Sequence, residues 1–322
     1  MRFTRLLRIV VALGLTSFVL WKSGPSGVLH AAAGADLTWL GAACALVIVD
    51  RVLMAYRWWI LLCAVDAHQR PPLAVVLRIF FVSTFVGTFL PSVGGDVYRA
   101  YSLARQGVRS GQAASSVLMD RLLGVLSMVI MAAAGLTGVD SPAAGPAVIG
   151  ALAFTLAICA LAFGMVFSER LAVVGRAVAR WIPLPRAQRL AVDLIDATRR
   201  FADARRELLG VLTLSIGVQV LRIVQAFCLG RALGIPLPPG VYFAFVPVIV
   251  LVMQLPISIA GLGTGNWAFV TLFSQAGATE PDAFALSVLF IALGIIGNLP
   301  GAVLYAASPA EPSGAASNPS TQ

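Results

Sequence analysis

Apolar runs of near bilayer-crossing length recur along this chain, and no other feature constrains its fold so tightly. They lie at about 9–21, 37–62, 73–92, 113–138, 146–167, 209–233, 241–259 and 283–306. A hydrocarbon core about 30 Å thick takes about 20 apolar helical residues to cross. Repetition of such runs predicts an all-α polytopic membrane protein. Membrane β-barrels show short alternating segments instead. Composition agrees: of 322 residues, 59% are hydrophobic and 11% charged, against about 25% charged in a soluble domain.

The net charge is +9, carried by 22 Arg and one Lys. In a soluble chain this would suggest nucleic acid, but no basic patch sits on a plausible soluble domain. Cytoplasmic loops of membrane proteins collect such charge, so no nucleic-acid partner is expected. Cys44, Cys63, Cys159 and Cys228 lie in or at the end of apolar runs without CxxC spacing. They read as small buried side chains. His30 and His68 stand alone, and no metal or cofactor is expected. The opening MRFTRLLR and its apolar run to Trp21 imitate a signal peptide, with Ala31–Ala33 as a mock cleavage site. The distance from Trp21 to those alanines is long for such a peptide, so a retained first span is expected.

Arginines orient the chain. Arg2, Arg5 and Arg8 put the N-terminus on the cytoplasmic side, and the second span returns His68 and Arg70 to it. The stretch FVGTFLPSVGGDVYRAYSLARQG, residues 85–107, then breaks at Pro91 and crosses Gly94 and Gly95. Residues 96–106 are too few to recross, since eleven helical residues reach only about 16 Å. A re-entrant hairpin returning to its own side is expected. A second break, LPISIAGLGTGNWAFVTLFSQAG, follows at Pro256, Gly261, Gly263 and Gly265. It reads as a hairpin from the opposite side, and the C-terminus returns to the cytoplasm. About six full spans plus two opposed hairpins result, the alternative being eight plain helices.

The breaks match in spacing. Gly95 to Gly107 is twelve residues, as is Gly265 to Gly277, and Asp96 follows the first glycine as Asn266 follows the second. Paired interrupted segments in two halves mark inverted-repeat transporters, although Pro and Gly are common in membrane helices generally. Gly95 and Gly265 are expected at positive φ or at a close backbone approach.

One transmembrane unit, residues 1–307, is expected, with a basic connector at 168–208. Within the connector, Leu190, Leu194, Phe201 and Leu208 have roughly helical spacing, and Asp196 precedes Arg200 by four residues. The connector's second half reads as an amphipathic helix on the cytoplasmic membrane surface or as a solvated loop helix. Residues 308–322, rich in Ser, Pro, Ala and Gly, read as a disordered tail.

The first break offers a candidate site. Helix N-terminal amides suit an anion such as phosphate. Asp96 is either part of that site or a plain N-cap. Arg99, one turn on, either grips a phosphate with its planar fork or neutralises Asp96. Asp50, Arg51, Arg57, Arg78, Asp120, Arg121 and Arg222 also lie inside apolar runs. Such charges usually face the protein interior in pairs. Asp50 with Arg51 and Asp120 with Arg121 read as an intramembrane pairing set. Gln219 and Gln225 flank Arg222 on a polar stripe that suits a cavity wall. No GxSxG, HExxH, Walker or DxxD motif is present, so neither catalysis nor ATP hydrolysis is expected.

FLPSVGGDVYRAYSLARQGV followed by ASSVLMDRLLG resembles the first signature of the lysylphosphatidylglycerol synthase transmembrane-region family, the flippase-like domain proteins. LPISIAGLGTGNWAFVTLFSQAG followed by ALSVLFIALGIIGNLPGAVLY resembles the second, and the likeness spans about residues 5–306. Matching members usually carry an Arg-Glu pair where this chain has Asn266-Trp267. The resemblance implies a lipid translocase or lipid-export component of the bacterial cytoplasmic (inner) membrane. Fused members add a soluble aminoacyltransferase domain after the spans. Only about sixteen residues follow the last span here, so synthase activity is not expected. The expected substrate-binding set is Asp96, Arg99, Gly94, Gly95, Arg222 and Asn266, acting on a membrane lipid with an anionic headgroup. A non-transporting scaffold of a lipid or glycan pathway, or a membrane-embedded lipid transferase, are the alternatives. The particular lipid, the direction of movement and the oligomeric state stay open.

Overall fold

A computed structural model describes residues 34–65, 70–90, 94–137, 145–254 and 263–307, with the backbone alone at Ala147. The first apolar run, His30, His68, Pro91, Pro256, Gly261 and the tail lie outside these residues. Eleven α-helices make up the described fold: α1 Leu37–Val65, α2 Leu73–Gly87, α3 Gly94–Ala104, α4 Ser110–Leu136, α5 Pro146–Phe167, α6 Glu169–Ala179, α7 Pro185–Arg199, α8 Arg205–Ala232, α9 Pro239–Met253, α10 Thr264–Gln275 and α11 Glu280–Ala307. A 3-10 turn at Arg200–Asp203 joins α7 to α8.

Five of these helices, α1, α4, α5, α8 and α11, are long and apolar enough to cross a membrane. They coincide with five of the six spans expected from the sequence, and the sixth lies outside the described residues. The two shorter apolar helices, α2 and α9, have 15 residues each. At 1.5 Å per residue they reach only about 22 Å, short of a full hydrocarbon crossing.

Local chemistry explains several helix ends. Asp36 precedes α1 and accepts the Thr38 amide at 2.7 Å, so a carboxylate caps that helix. Hydrogen bonds from the Thr38 amide and side chain hold the Asp36 carboxyl below its ordinary value. Thr279 and Asp282 form a reciprocal box at the start of α11, with Thr279 Oγ1 donating to Asp282 and accepting from its amide. Gly107 and Gly277 follow α3 and α10 at φ 88 and 99, a conformation only glycine adopts freely.

Two similar halves pack around each other. The same spacing of 170 residues separates Gly94 from Thr264, Gly107 from Gly277 and Ser110 from Glu280. In that register α1, α2, α3 and α4 correspond to α8, α9, α10 and α11. The packing obeys the correspondence by exchange. Helix α2 packs on α11 while α9 packs on α4, α3 packs on α4 while α10 packs on α11, and α1 packs on α8. The central pair is antiparallel: Asp36 meets Ala232, Met54 meets Arg222, and Arg57 meets Ser215. Each exchanged crossing seats a glycine on a backbone carbonyl, Gly301 against Phe81 and Gly135 against Phe243. Small residues at such contacts let membrane helices approach closely.

The halves differ in what fills them. Around α9 and α10 the core is aromatic, with Tyr242, Phe245, Phe269 and Phe273 buried and in ring contact. The first half packs Trp58, Phe80, Leu103 and Ala113 around a charged centre.

The connector is a helical hairpin: α7 is the helix expected in its second half, and α6 precedes it. Helix α6 lies antiparallel to α7, so Arg176 reaches Asp196 at 2.7 Å and also binds Glu169, while Arg199 reaches Glu169 at 2.6 Å. Asp196 therefore pairs across the hairpin and not with Arg200. The two carboxylates hold the Arg176 guanidinium above its ordinary pKa. The expected apolar stripe is divided: Phe201 and Leu208 are buried with Leu61 and Met119, whereas Leu190 is exposed. Helix α6, continued by Trp181, carries the exposed apolar face, with Leu171, Val174, Val178 and Trp181 along it.

Candidate functional site

At the centre of the bundle, two adjoining chambers hold most of the intramembrane charges. The larger has about 350 Å³ and the smaller about 220 Å³. Both are lined by Asp96, Arg99, Arg121, Arg222 and Gln254. They sit at mid-helix: Arg51 is the central residue of α1, Gly294 belongs to the central pair of α11, and Asp120 lies within a turn of the centre of α4.

Asp120 anchors the inner network. Its carboxylate meets the Arg57 guanidinium at 2.7 Å and Arg99 at 3.2 Å, with all three residues at most 6% exposed. Arg57 also donates to Ser215 Oγ at 2.9 Å, tying α1 and α4 to α8. Arg99 stacks between two aromatic faces, 5.0 Å from the Trp58 centroid and 4.7 Å from that of Phe80. A planar, weakly hydrated guanidinium suits such a slot where a lysine does not. In the second half the equivalent positions are Phe269 and Phe290, whose rings pack at 5.3 Å. One contact is thus an ion pair in the first half and an aromatic pair in the second. The charge is one-sided.

Asp96 has a different partner. Its carboxylate receives the Arg121 guanidinium at 2.6 Å, and Arg121 Nη1 also donates to Gln254 Oε1 at 3.1 Å. That bridge joins the start of α3, the middle of α4 and the end of α9, and so links the two halves. It stands where the chambers meet, with 33% of the Arg121 side chain and 19% of the Asp96 side chain exposed. Asp96 lies two residues inside α3, so it is not the N-cap of that helix. Nor does Arg99 neutralise it; Arg99 turns toward Asp120.

Asp50 completes the set. It pairs with Arg51 at 3.0 Å, as its neighbour in sequence, and with Arg222 at 3.4 Å. Arg222 also meets the Met54 sulfur at 3.0 Å, on the crossing of α1 and α8. Gln225 lines the larger chamber and Gln219 the smaller, so both glutamines of the stripe face the cavity. Arg51 Nε and Gln225 Nε2 are buried donors with no hydrogen-bond partner among the described residues.

Asp96, Arg99, Gly95 and Arg222 of the expected binding set line the larger chamber; Gly94 and Asn266 do not. Asn266 occupies the position equivalent to Asp96, at the start of α10, away from both chambers. Gly95 and Gly265 are helical, not at positive φ; that conformation belongs to Gly263. Gly95 serves close approach: a Cβ there would lie 2.9 Å from the Ser83 carbonyl oxygen and 3.0 Å from Gly87 Cα. Asp120 and Arg121, adjacent in sequence, point to different partners because neighbours on a helix diverge by about 100°. Arg57 and Gln254 were missed as site residues. So were Ser83, Thr84, Thr88 and Asn298, which line the larger chamber. Their signal was isolated polarity within apolar runs. Thr88 and Asn298 bond to each other at 2.9 Å.

The larger chamber is also lined by apolar side chains: Val250 and Met253 from α9, and Phe290, Ile291 and Ile295 from α11. The larger chamber is therefore lined by both guanidinium groups and hydrocarbon side chains. No curated protein and no solved structure matches the chain. The family described as lysylphosphatidylglycerol synthase TM region matches residues 5–301, and the chain is a member of that family, an integral membrane protein of a group tied to lipid-related processes.

Proposed function

We propose that the protein moves an anionic lipid across the membrane through the central cavity, without an energy source of its own. The observation that carries this reading is the mixed lining of the larger chamber, where Arg51, Arg99, Arg121 and Arg222 share one cavity with Val250, Phe290, Ile291 and Ile295. A scaffold has no use for so many charges at mid-helix, each costing about 2.5–3.5 kcal/mol on insertion scales. A lipid needs both linings: guanidinium groups for its phosphate and apolar surface for its chains.

In this reading α2–α3 and α9–α10 are re-entrant hairpins entering from opposite sides. Their short first arms, the matched Gly107 and Gly277 turns and the exchanged packing all support it. Inverted repeats of this kind move against one another around a fixed midplane site. The bridge from Asp96 through Arg121 to Gln254 divides the chambers and crosses between the hairpins. Opening it joins the chambers and lets a headgroup pass. The cytoplasmic side holds both termini and the α6–α7 hairpin, following the arginine distribution, in a bacterial inner membrane.

The test is lipid movement in liposomes of purified protein, read by quenching a headgroup-labelled anionic lipid from outside. Protein should raise the exchange rate above that of empty liposomes, and Arg121→Gln should alter it. Exchange no faster than in empty liposomes, with correctly folded protein, rejects the translocase.

A further inference from the structure

We infer that the headgroup this cavity accepts carries two negative charges, as a lipid phosphomonoester or a lipid-linked diphosphate does. The inference rests on the translocase reading for its lipid and on a charge count for its valence. The chambers hold five guanidinium groups, from Arg51, Arg57, Arg99, Arg121 and Arg222. Against them, among the described residues, stand three carboxylates, Asp50, Asp96 and Asp120. Two positive charges remain.

The surplus is divided. Asp96 answers Arg121 alone. Asp120 is shared by Arg57 and Arg99, and Asp50 by Arg51 and Arg222. One unmatched charge therefore belongs to each of the Asp120 and Asp50 clusters. A lysine in this position could shed its proton and become neutral, but a guanidinium stays charged in proteins. The imbalance has to be met by an anion or by water. At the Asp50 cluster, buried Arg51 Nε and Gln225 Nε2 stand without partners among the described residues, as donors for phosphate oxygens. A phosphodiester headgroup brings one negative charge and leaves one guanidinium unanswered. A monoester or a diphosphate brings two.

The probes are a diacylglycerol phosphomonoester, the same lipid methylated on its phosphate, and inorganic phosphate. The methyl ester removes one charge with little change in size. Binding to the purified full chain in detergent is measured by competition at pH 8, above the second phosphate ionisation at about 6. The monoester should bind on the order of tenfold tighter than its methyl ester, the ratio that about 1.4 kcal/mol produces. Arg222→Gln lowers the excess to one and should shrink that ratio to about twofold. Equal binding of the two lipids by the wild-type protein overturns the inference, whether or not Arg222→Gln folds. An unchanged ratio in a folded Arg222→Gln protein also overturns it. Inorganic phosphate competing as well as the monoester assigns the site to a free anion and removes the lipid from the proposal. Selective binding without movement in liposomes rejects the translocase and leaves the valence standing; movement with no charge preference does the reverse.

Discussion

Replacing Asp120 with asparagine tests the inner network without changing side-chain size. The carboxylate answers Arg57 at 2.7 Å and Arg99 at 3.2 Å, in a site at most 6% exposed. Asparagine accepts one hydrogen bond there but brings no charge, and its amide protons face guanidinium groups. Removing one partner of a buried ion pair costs about 3–5 kcal/mol. Water in the adjoining chamber screens part of this, so the lower end, about 3 kcal/mol, is expected. At about 2 °C of melting temperature per kcal/mol for a chain of this size, the loss is about 6 °C. Asp96→Asn is the control. Its pair with Arg121 is partly exposed, and such pairs contribute at most about 1 kcal/mol, or about 2 °C. Both variants are heated in detergent, and the surviving monodisperse fraction is read by size exclusion. An Asp120→Asn protein melting within about 1 °C of wild type would refute the buried network, since that shift corresponds to about 0.5 kcal/mol. So would Asp96→Asn being the more damaging of the two.

Gly95→Val should abolish folded yield, because backbone atoms of Ser83 and Gly87 occupy the space. Gly265→Val meets, among the described residues, the Met253 side chain, 3.1 Å away and free to turn, and should be milder; equal yields would contradict the close contact of Gly95 with Ser83 and Gly87. Arg99→Lys keeps the charge but loses the slot between Trp58 and Phe80. It should lower stability by about 1–2 kcal/mol, so an unchanged melting temperature would show the stacking to be idle. Gln106→Cys and Gln275→Cys, both at exposed ends of hairpin arms, should react with an impermeant thiol reagent from opposite faces of the membrane. Labelling of both from one face would defeat the opposed hairpins.

The sequence by itself determined that the chain is a helical membrane protein, because apolar length is a local property that the bilayer reads directly. The spacing of Gly95 to Gly107 and of Gly265 to Gly277 also anticipated the common register of α3 and α10. Asp50 with Arg51 was legible, since the two are neighbours in sequence and the side chains meet. Only the tertiary structure decided the other pairs. Asp120 and Arg121 share a peptide bond, but the helix turns them apart, one toward Arg57 and Arg99 and the other toward Asp96. Asn266 mirrors Asp96 in register yet stays away from both chambers. Arg99 and Asp120 correspond to Phe269 and Phe290, a fact hidden until the helices are packed and the 170-residue register is applied to α4 and α11. Which charges meet depends on which helix faces cross, and a crossing joins residues far apart in the chain. The apolar period of a single helix records that it has an inner face, and leaves open what stands opposite.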